Sequence, residues 1–175
     1  KYIFYMIYPW HEQQWEKFSN FLVNKRLSHA ILISGPSDTG KLRFCLSYIQ
    51  KLNCRQPTKD DYACGVCNDC HLFQARTHPD VRMINTDEVV DQIKVDDIRE
   101  INQFMSLSRQ QGLYKAVCIN HADLMNTNAA NALLKTLEEP SANSVLFLIS
   151  HRADTLLATI KSRCQIWKFG MPNKK

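Results

Sequence analysis

Two groups of residues in this sequence have types and spacings that could do chemistry. The first is Gly35, Gly40 and Lys41, in the pattern G-x-x-x-x-G-K. Glycines at that spacing let backbone N–H groups turn inward, a helix start adds positive potential, and the lysine meets terminal phosphates. The pattern therefore implies a phosphate cradle for a nucleotide such as ATP. The next position breaks it, because Leu42 stands where a serine or threonine hydroxyl would hold magnesium. The second group is Cys54-x9-Cys64-x2-Cys67-x2-Cys70. Four soft thiolates fill a tetrahedral zinc ion with no open position, so the metal would be structural rather than catalytic. An iron–sulfur cluster is the other metal group this set could hold. His71, directly after Cys70, reads as a bystander.

Hydrolysis at a glycine loop also needs an acidic pair at the end of a neighbouring strand, one carboxylate for the metal and one for the attacking water. The candidate strand, in "KAVCINHADLMN", ends in Asn120-His121 and offers neither. Asp123 comes three residues after Asn120, which puts it roughly 10 Å away or round a turn on another heading. Leu42 and Asn120-His121 are thus two separate losses at one metal site. The residues imply that a nucleotide could be held but is not hydrolysed. A relaxed metal site using Thr39 or Asp38 is the active alternative.

These residues need a scaffold, and the hydrophobic pattern supplies one. "HEQQWEKFSNFLVNK" places Trp15, Phe18, Phe21, Leu22 and Lys25 on one helical stripe. "AILIS" (30–34) is a short buried strand that runs into the glycine loop, and "GKLRFCLSYIQKL" continues it as a helix. Further strands are predicted at 81–85, 116–120, 144–150 and 164–169. Helices are predicted from "DCHLFQAR", from "VDDIREINQFM", and from "NTNAANALLKTLEE" with a cap at Asn126 or Thr127 and a stop before Pro140. Near-continuous apolar strands alternating with helices imply an α/β fold with a parallel sheet covered on both faces. Ligands in such sheets bind at the carboxyl ends of the strands, where the glycine loop lies.

At 175 residues, with 45% hydrophobic and 22% charged residues, the chain is one globular domain with room for a small insertion. No stretch approaches the roughly 18 apolar residues of a membrane span. The apolar opening lacks a small-residue cleavage site and runs into "HEQQWEK", which argues against export; Met6 is a candidate natural start. Seven cysteines, four of them clustered, fit a metal site in a reducing cytoplasm better than disulfides. The net charge of +5, with Lys51, Arg55 and Lys59 near the cysteines, keeps open a zinc-containing nucleic-acid-binding module. The basic-aromatic interleaving of single-strand binders is missing.

"HAILISGPSDTGK", the four-cysteine insertion, "THPD", "NAANALLKTLEEP" and "SRC" follow one another in an order found in bacterial DNA polymerase III clamp-loader subunits of the AAA+ class. Over residues 8 to 170 the chain resembles that family. "YPW" near the start, together with the altered nucleotide motifs, resembles its non-hydrolysing stator branch; the catalytic gamma/tau branch would show Lys-Thr/Ser in the loop and Asp-Glu at the strand end. The resemblance implies an AAA+ P-loop core over 6–170 with a zinc module inserted at 54–70. It also implies a linker starting at 171–175, leading to a helical lid and collar. It implies gamma/tau ATPase subunits and a delta subunit as partners, with the sliding clamp and primer-template DNA reached through the assembly. Ser162, Arg163 and Cys164 match the family's serine-arginine-cysteine motif, so Arg163 is the expected arginine finger for the ATP of a neighbouring subunit. Ser150 matches a polar phosphate sensor, and Lys135, Glu138 and Glu139 are expected to face the neighbour.

Overall fold

The computed structural model describes residues 7–86 and 91–171. Met6 and the expected linker residues beyond 171 lie outside the described residues. Five strands, β1 (Ala30–Ser34), β2 (Val81–Ile84), β3 (Lys115–Ile119), β4 (Ser144–Ser150) and β5 (Gln165–Lys168), form one sheet in the order β2-β3-β4-β1-β5. Every strand pair is parallel. Among the described residues six α-helices connect and cover them: α1 (Glu12–Val23), α2 (Lys41–Asn53), α3 (Asn68–Gln74), α4 (Val95–Ser106), α5 (Thr127–Glu138) and α6 (Ala158–Lys161). Among the described residues no helix is long and apolar enough to cross a membrane.

Alternate side chains of each strand enter different cores, which explains the uninterrupted apolar runs. Ile31 and Ile33 of β1, with Phe147 and Ile149 of β4, meet Trp15, Phe18, Phe44, Tyr48 and Phe73 from α1, α2 and α3. Ala30 and Leu32, with Leu146 and Leu148, meet Ile98, Ile101, Leu133, Leu137 and Ile160 from α4, α5 and α6. The fold is therefore the expected α/β sandwich.

Local chemistry sets the element ends. The Asn126 side chain accepts the Ala129 N–H at 2.8 Å and starts α5, as expected of that cap. The Asp97 carboxylate accepts the Lys94 N–H at 2.8 Å and starts α4. Lys25 is a correction: it lies past the end of α1, exposed and at φ +54°, and not on the apolar stripe. Its N–H bonds Leu22 O while the Arg26 N–H reaches back to Phe21 O, a left-handed helix stop that takes Lys25 off the helix. β3 ends at Ile119, one residue short of the expected end, and β5 is Gln165–Lys168. α6 has four residues, too few to show a period in sequence.

Candidate functional site

The glycine loop leaves β1 where the strand order reverses, between β1 and β4, the position at which open parallel sheets bind ligands. The Gly35 N–H donates to Ser150 O at 3.3 Å. A Cβ on Gly35 would stand 1.9 Å from the carbonyl oxygen of Phe169, so only glycine fits. Gly40 has φ +83°, and a Cβ there would meet the Tyr8 ring at 2.5 Å. Tyr8 stacks on Trp10 at 4.5 Å between centroids, the Arg43 guanidinium lies 4.7 Å over the Tyr8 ring, and the Trp10 indole N–H donates to Thr39 O at 3.3 Å.

Lys41 is buried, and its ammonium donates to the carbonyl of Pro36 in the same loop and to Thr39 Oγ1 at 3.2 Å. Burial pulls its pKa below the usual lysine range, against the opposing pull of Asp38 and Asp123. Thr39 itself donates to Pro36 O at 3.1 Å and is fully buried. The loop's lysine, hydroxyl and carbonyl thus bond one another.

Around the expected metal position, each residue has a different occupation. Leu42 packs against the first core. The Asn120 amide donates to Asn85 O at 3.1 Å and the Asn85 amide to Asn120 O at 3.3 Å, tying the ends of β3 and β2 together. His121 turns the chain at φ +53°, and its ring lies 4.3 Å from that of His151. Burial lowers the His151 pKa, helped by the nearby Lys41 ammonium. Asp123 sits on a 3-10 turn, Ala122–Leu124, which carries it round to the end of β4. There it accepts the Ser150 hydroxyl at 3.1 Å and the His151 N–H at 3.0 Å. Burial pushes its carboxyl up, but the His151 N–H and the Ser150 hydroxyl outweigh it and hold the pKa below the usual range. Of the two headings the sequence allowed Asp123, the structure takes the turn. Ser150, expected as a phosphate sensor, spends its proton on Asp123 and accepts the Arg152 N–H at 3.1 Å.

At the far end of α2 the four cysteines come together. Cys54 follows the helix directly, Cys64 and Cys67 lie in the next loop, and Cys70 is in the first turns of α3. Their sulfurs all lie within 4.8 Å of one another, and His71 is not among the group. Zinc–sulfur bonds of about 2.3 Å place tetrahedral sulfurs roughly 3.8 Å apart, so the spacing fits such an ion. The Cys64 N–H points at Cys54 Sγ (3.2 Å) and the Cys67 N–H at Cys64 Sγ (3.3 Å), donors that favour thiolates. For Cys64, burial raises the thiol but the N–H groups of Val66 and Cys67 prevail and bring it down to about 7. Of the basic residues near the cysteines, Lys51 is buried against Asp61 and Ser19, and Arg55 holds Asp69 and Gln111 O. Two of the three charges proposed for nucleic acid are thus already paired.

Sequence reasoning missed the network that seats this module. Asp69, between Cys67 and Cys70, is buried and accepts from Arg55 Nε (2.9 Å), Gln111 Nε2 (2.8 Å) and His78 Nε2 (3.2 Å). His78 Nδ1 in turn accepts the Asp80 N–H at 3.1 Å. Asp80 has no exposed surface and receives the N–H groups of Gln110 (2.9 Å), Gln111 (2.7 Å) and Gly112 (2.7 Å). No local signal marks this network, since the Asp69–Gln111 and Asp80–Gly112 contacts span 42 and 32 residues of chain.

Ser162, Arg163 and Cys164 link α6 to β5. Cys164 packs against the second core, and burial raises its thiol to about 12. Ser162 Oγ donates to Thr159 O at 3.1 Å. The Arg163 guanidinium donates to Thr159 O at 2.9 Å and pairs with Glu138 Oε1 at 2.8 Å. Lys135 and Glu139, on the same stretch as Glu138, are exposed.

Comparison with known proteins agrees with this geometry. Residues 10–173 match the family model described as DNA polymerase III, delta subunit. The DNA polymerase III subunit delta' of Pseudomonas aeruginosa is 42% identical over 158 residues, 90% of this chain and 47% of the relative. That of Haemophilus influenzae is 37% identical over 97% of this chain and 51% of its own length. The chain thus spans about half the length of these relatives. DNA polymerase III subunit tau of Bacillus subtilis is 31% identical over 86% of this chain and 26% of its own. Among solved structures, a DNA polymerase III gamma subunit-related protein of Thermotoga maritima superposes with a TM-score of 0.65 at 28% identity, over 93% of this chain and 47% of that one. A RuvB branch-migration motor of the same organism, at TM-score 0.52 and 15% identity, shares the fold. With an AAA+ P-loop sheet, a four-cysteine cluster and these matches, the chain belongs to the DNA polymerase III delta-subunit family and stands within it beside the delta' subunits.

Proposed function

We propose that this chain is the AAA+ core of a non-hydrolysing stator in the cytoplasmic clamp loader of DNA polymerase III. It helps to load the sliding clamp onto primed DNA and serves catalysis through a neighbour's site. Its partners are the gamma/tau ATPase subunits and the delta subunit. The core runs to residue 170, carries a structural zinc module at 54–70 held by Cys54, Cys64, Cys67 and Cys70, and precedes a lid.

One observation carries the reading: the residues at the expected magnesium position all have other uses. Leu42 is core packing, Asn120 bridges two strands, and Asp123 is bound to Ser150 and His151. Thr39, the nearest substitute hydroxyl, is bonded to Lys41 and Pro36. Gly35, Gly40 and Lys41 keep the form of a phosphate cradle, so ATP could be held without being cleaved.

Arg163 supports the service in trans. β1 and β5 are parallel neighbours with Ile31 level with Gln165. Arg163 precedes β5, while the glycine loop follows β1, so the two lie beyond opposite ends of adjacent strands. The span from Ile31 to Gly35 alone is about 13 Å. A phosphate served by Arg163 belongs to another chain. A guanidinium suits that task, since its spread charge and forked donors neutralise charge on a transferring phosphoryl group.

The test is a clamp loader rebuilt with the full-length chain carrying Arg163→Ala. DNA-stimulated ATP turnover should fall at least about tenfold at the site served, because arginine fingers contribute about 10³ or more. Unchanged turnover removes the assignment. Magnesium-dependent ATP hydrolysis by the full-length chain alone, abolished by Lys41→Ala, removes the non-hydrolysing reading.

A further inference from the structure

We propose that Glu138 is the positioning residue for Arg163, holding the guanidinium ready before the neighbouring subunit's nucleotide arrives. The inference rests on the reading of Arg163 given above and adds to it a residue, on a different element, that sets the finger's geometry.

Glu138 is the last residue of α5, and Arg163 follows α6, 25 positions later in the chain. The two helices pack around the second core, where Leu133, Leu137 and Ile160 are buried together. That packing brings the carboxylate to 2.8 Å from one terminal nitrogen of Arg163, while the other donates to Thr159 O at 2.9 Å. One partner comes from each helix, so the guanidinium plane is fixed against both.

Arginine has five N–H donors in a rigid fork. Two are engaged by these contacts, and 36% of the side chain remains exposed, so the held guanidinium still presents donors outward. A free arginine would lose much of its rotamer freedom on reaching a phosphate; one already held loses less, which is the general gain from preorganisation. Glu138 itself is half exposed, and exposed ion pairs contribute little to folding. Its removal should therefore alter the finger without disturbing the fold.

The experiment uses the full-length chain in a reconstituted clamp loader with primed DNA, and measures kcat and KM for ATP. Glu138→Ala should lower kcat by about two- to fivefold, the span an exposed ion pair can supply, with KM unchanged. Glu138→Asp should restore part of the loss. Glu138→Ala combined with Arg163→Ala should turn over no more slowly than Arg163→Ala alone, because the glutamate acts through the arginine. Unfolding temperatures of all variants should match the parent chain. A Glu138→Ala kcat at or above the parent's, a loss that adds to that of Arg163→Ala, or a change confined to KM overturns the inference while leaving Arg163 its role. If Arg163→Ala itself leaves turnover unchanged, the finger and its positioning residue fall together.

Discussion

The glycine loop and the cysteine cluster are the two ends of one helix, and they differ in what their side chains face. At the Lys41 end the chemically able groups bond within the chain: ammonium to loop carbonyl, Asp123 to Ser150, Asn120 to Asn85. At the Cys54 end four sulfurs converge on one point, and the nearest N–H groups are aimed at them. A site whose groups satisfy one another is architecture; a site whose groups converge on a shared point is built for something outside the chain. The difference is geometric, since both ends keep most of the residue types their motifs require.

The largest expected effect lies at the cysteine end. Cys70→Ser should leave the purified full-length chain without zinc and lower its stability by on the order of 5 kcal/mol or more, because structural metal binding is folding energy. Metal analysis and thermal unfolding check both. A zinc-free parent chain as stable as a zinc-loaded one would erase the contrast between the two ends.

Next comes the seat of the module. Asp80→Asn deprives three N–H groups, that of buried Gly112 among them, of a charged acceptor and should cost about 2–4 kcal/mol in urea unfolding, with faster hydrogen exchange at Gln110, Gln111 and Gly112. The pH dependence has a definite sign. Burial pushes the Asp80 carboxyl up, but these N–H groups prevail and hold its folded pKa below the usual range. Its contribution is whole above the unfolded value of about 4 and is lost as pH falls through the folded value. An Asp80→Asn chain whose acid unfolding matches the parent's would contradict this.

Smaller effects are expected at the glycine loop. Gly40→Ala must hold φ +83° with its Cβ against Tyr8, and should destabilise by about 1–2 kcal/mol. Leu42→Thr restores the missing hydroxyl yet should confer no magnesium-dependent ATP hydrolysis, since Asn120 and Asp123 remain committed elsewhere. Turnover gained from that single change would show the metal site to be far less dismantled than its contacts imply.

What could be read in advance depended on distance along the chain. The four cysteines lie within seventeen positions, and their spacing alone announced a cluster that could hold a metal. The strands and the longer helices were legible because both faces of the sheet are apolar and the helices show a clear period. The Asn126 cap is a contact within one turn. By contrast, Asp69 meets Gln111 and Asp80 meets Gly112 across more than thirty residues, and no local pattern encodes such meetings. Lys115 is another case. A strand-initial lysine reads as exposed, yet it is buried, its ammonium donating to the carbonyls of Phe104, Leu107 and Ser108 at the end of α4. Glu138 read as a residue facing the neighbour; only the packing of α6 gives it Arg163.

α2 is buried along almost its whole length, from Lys41 to Asn53, and spans about 20 Å between the glycine loop and the first cysteine. It behaves as a strut with a fixed angle at each end. The turn at Gly35 and Gly40 sets where that strut begins, and so where Cys54 arrives relative to Cys64, Cys67 and Cys70. Inserting or deleting one residue within α2 would rotate everything beyond it by about 100° and swing the first sulfur out of the cluster. The length of α2 is thus fixed by the need to keep Lys41 in the glycine loop and Cys54 among the other cysteines at once.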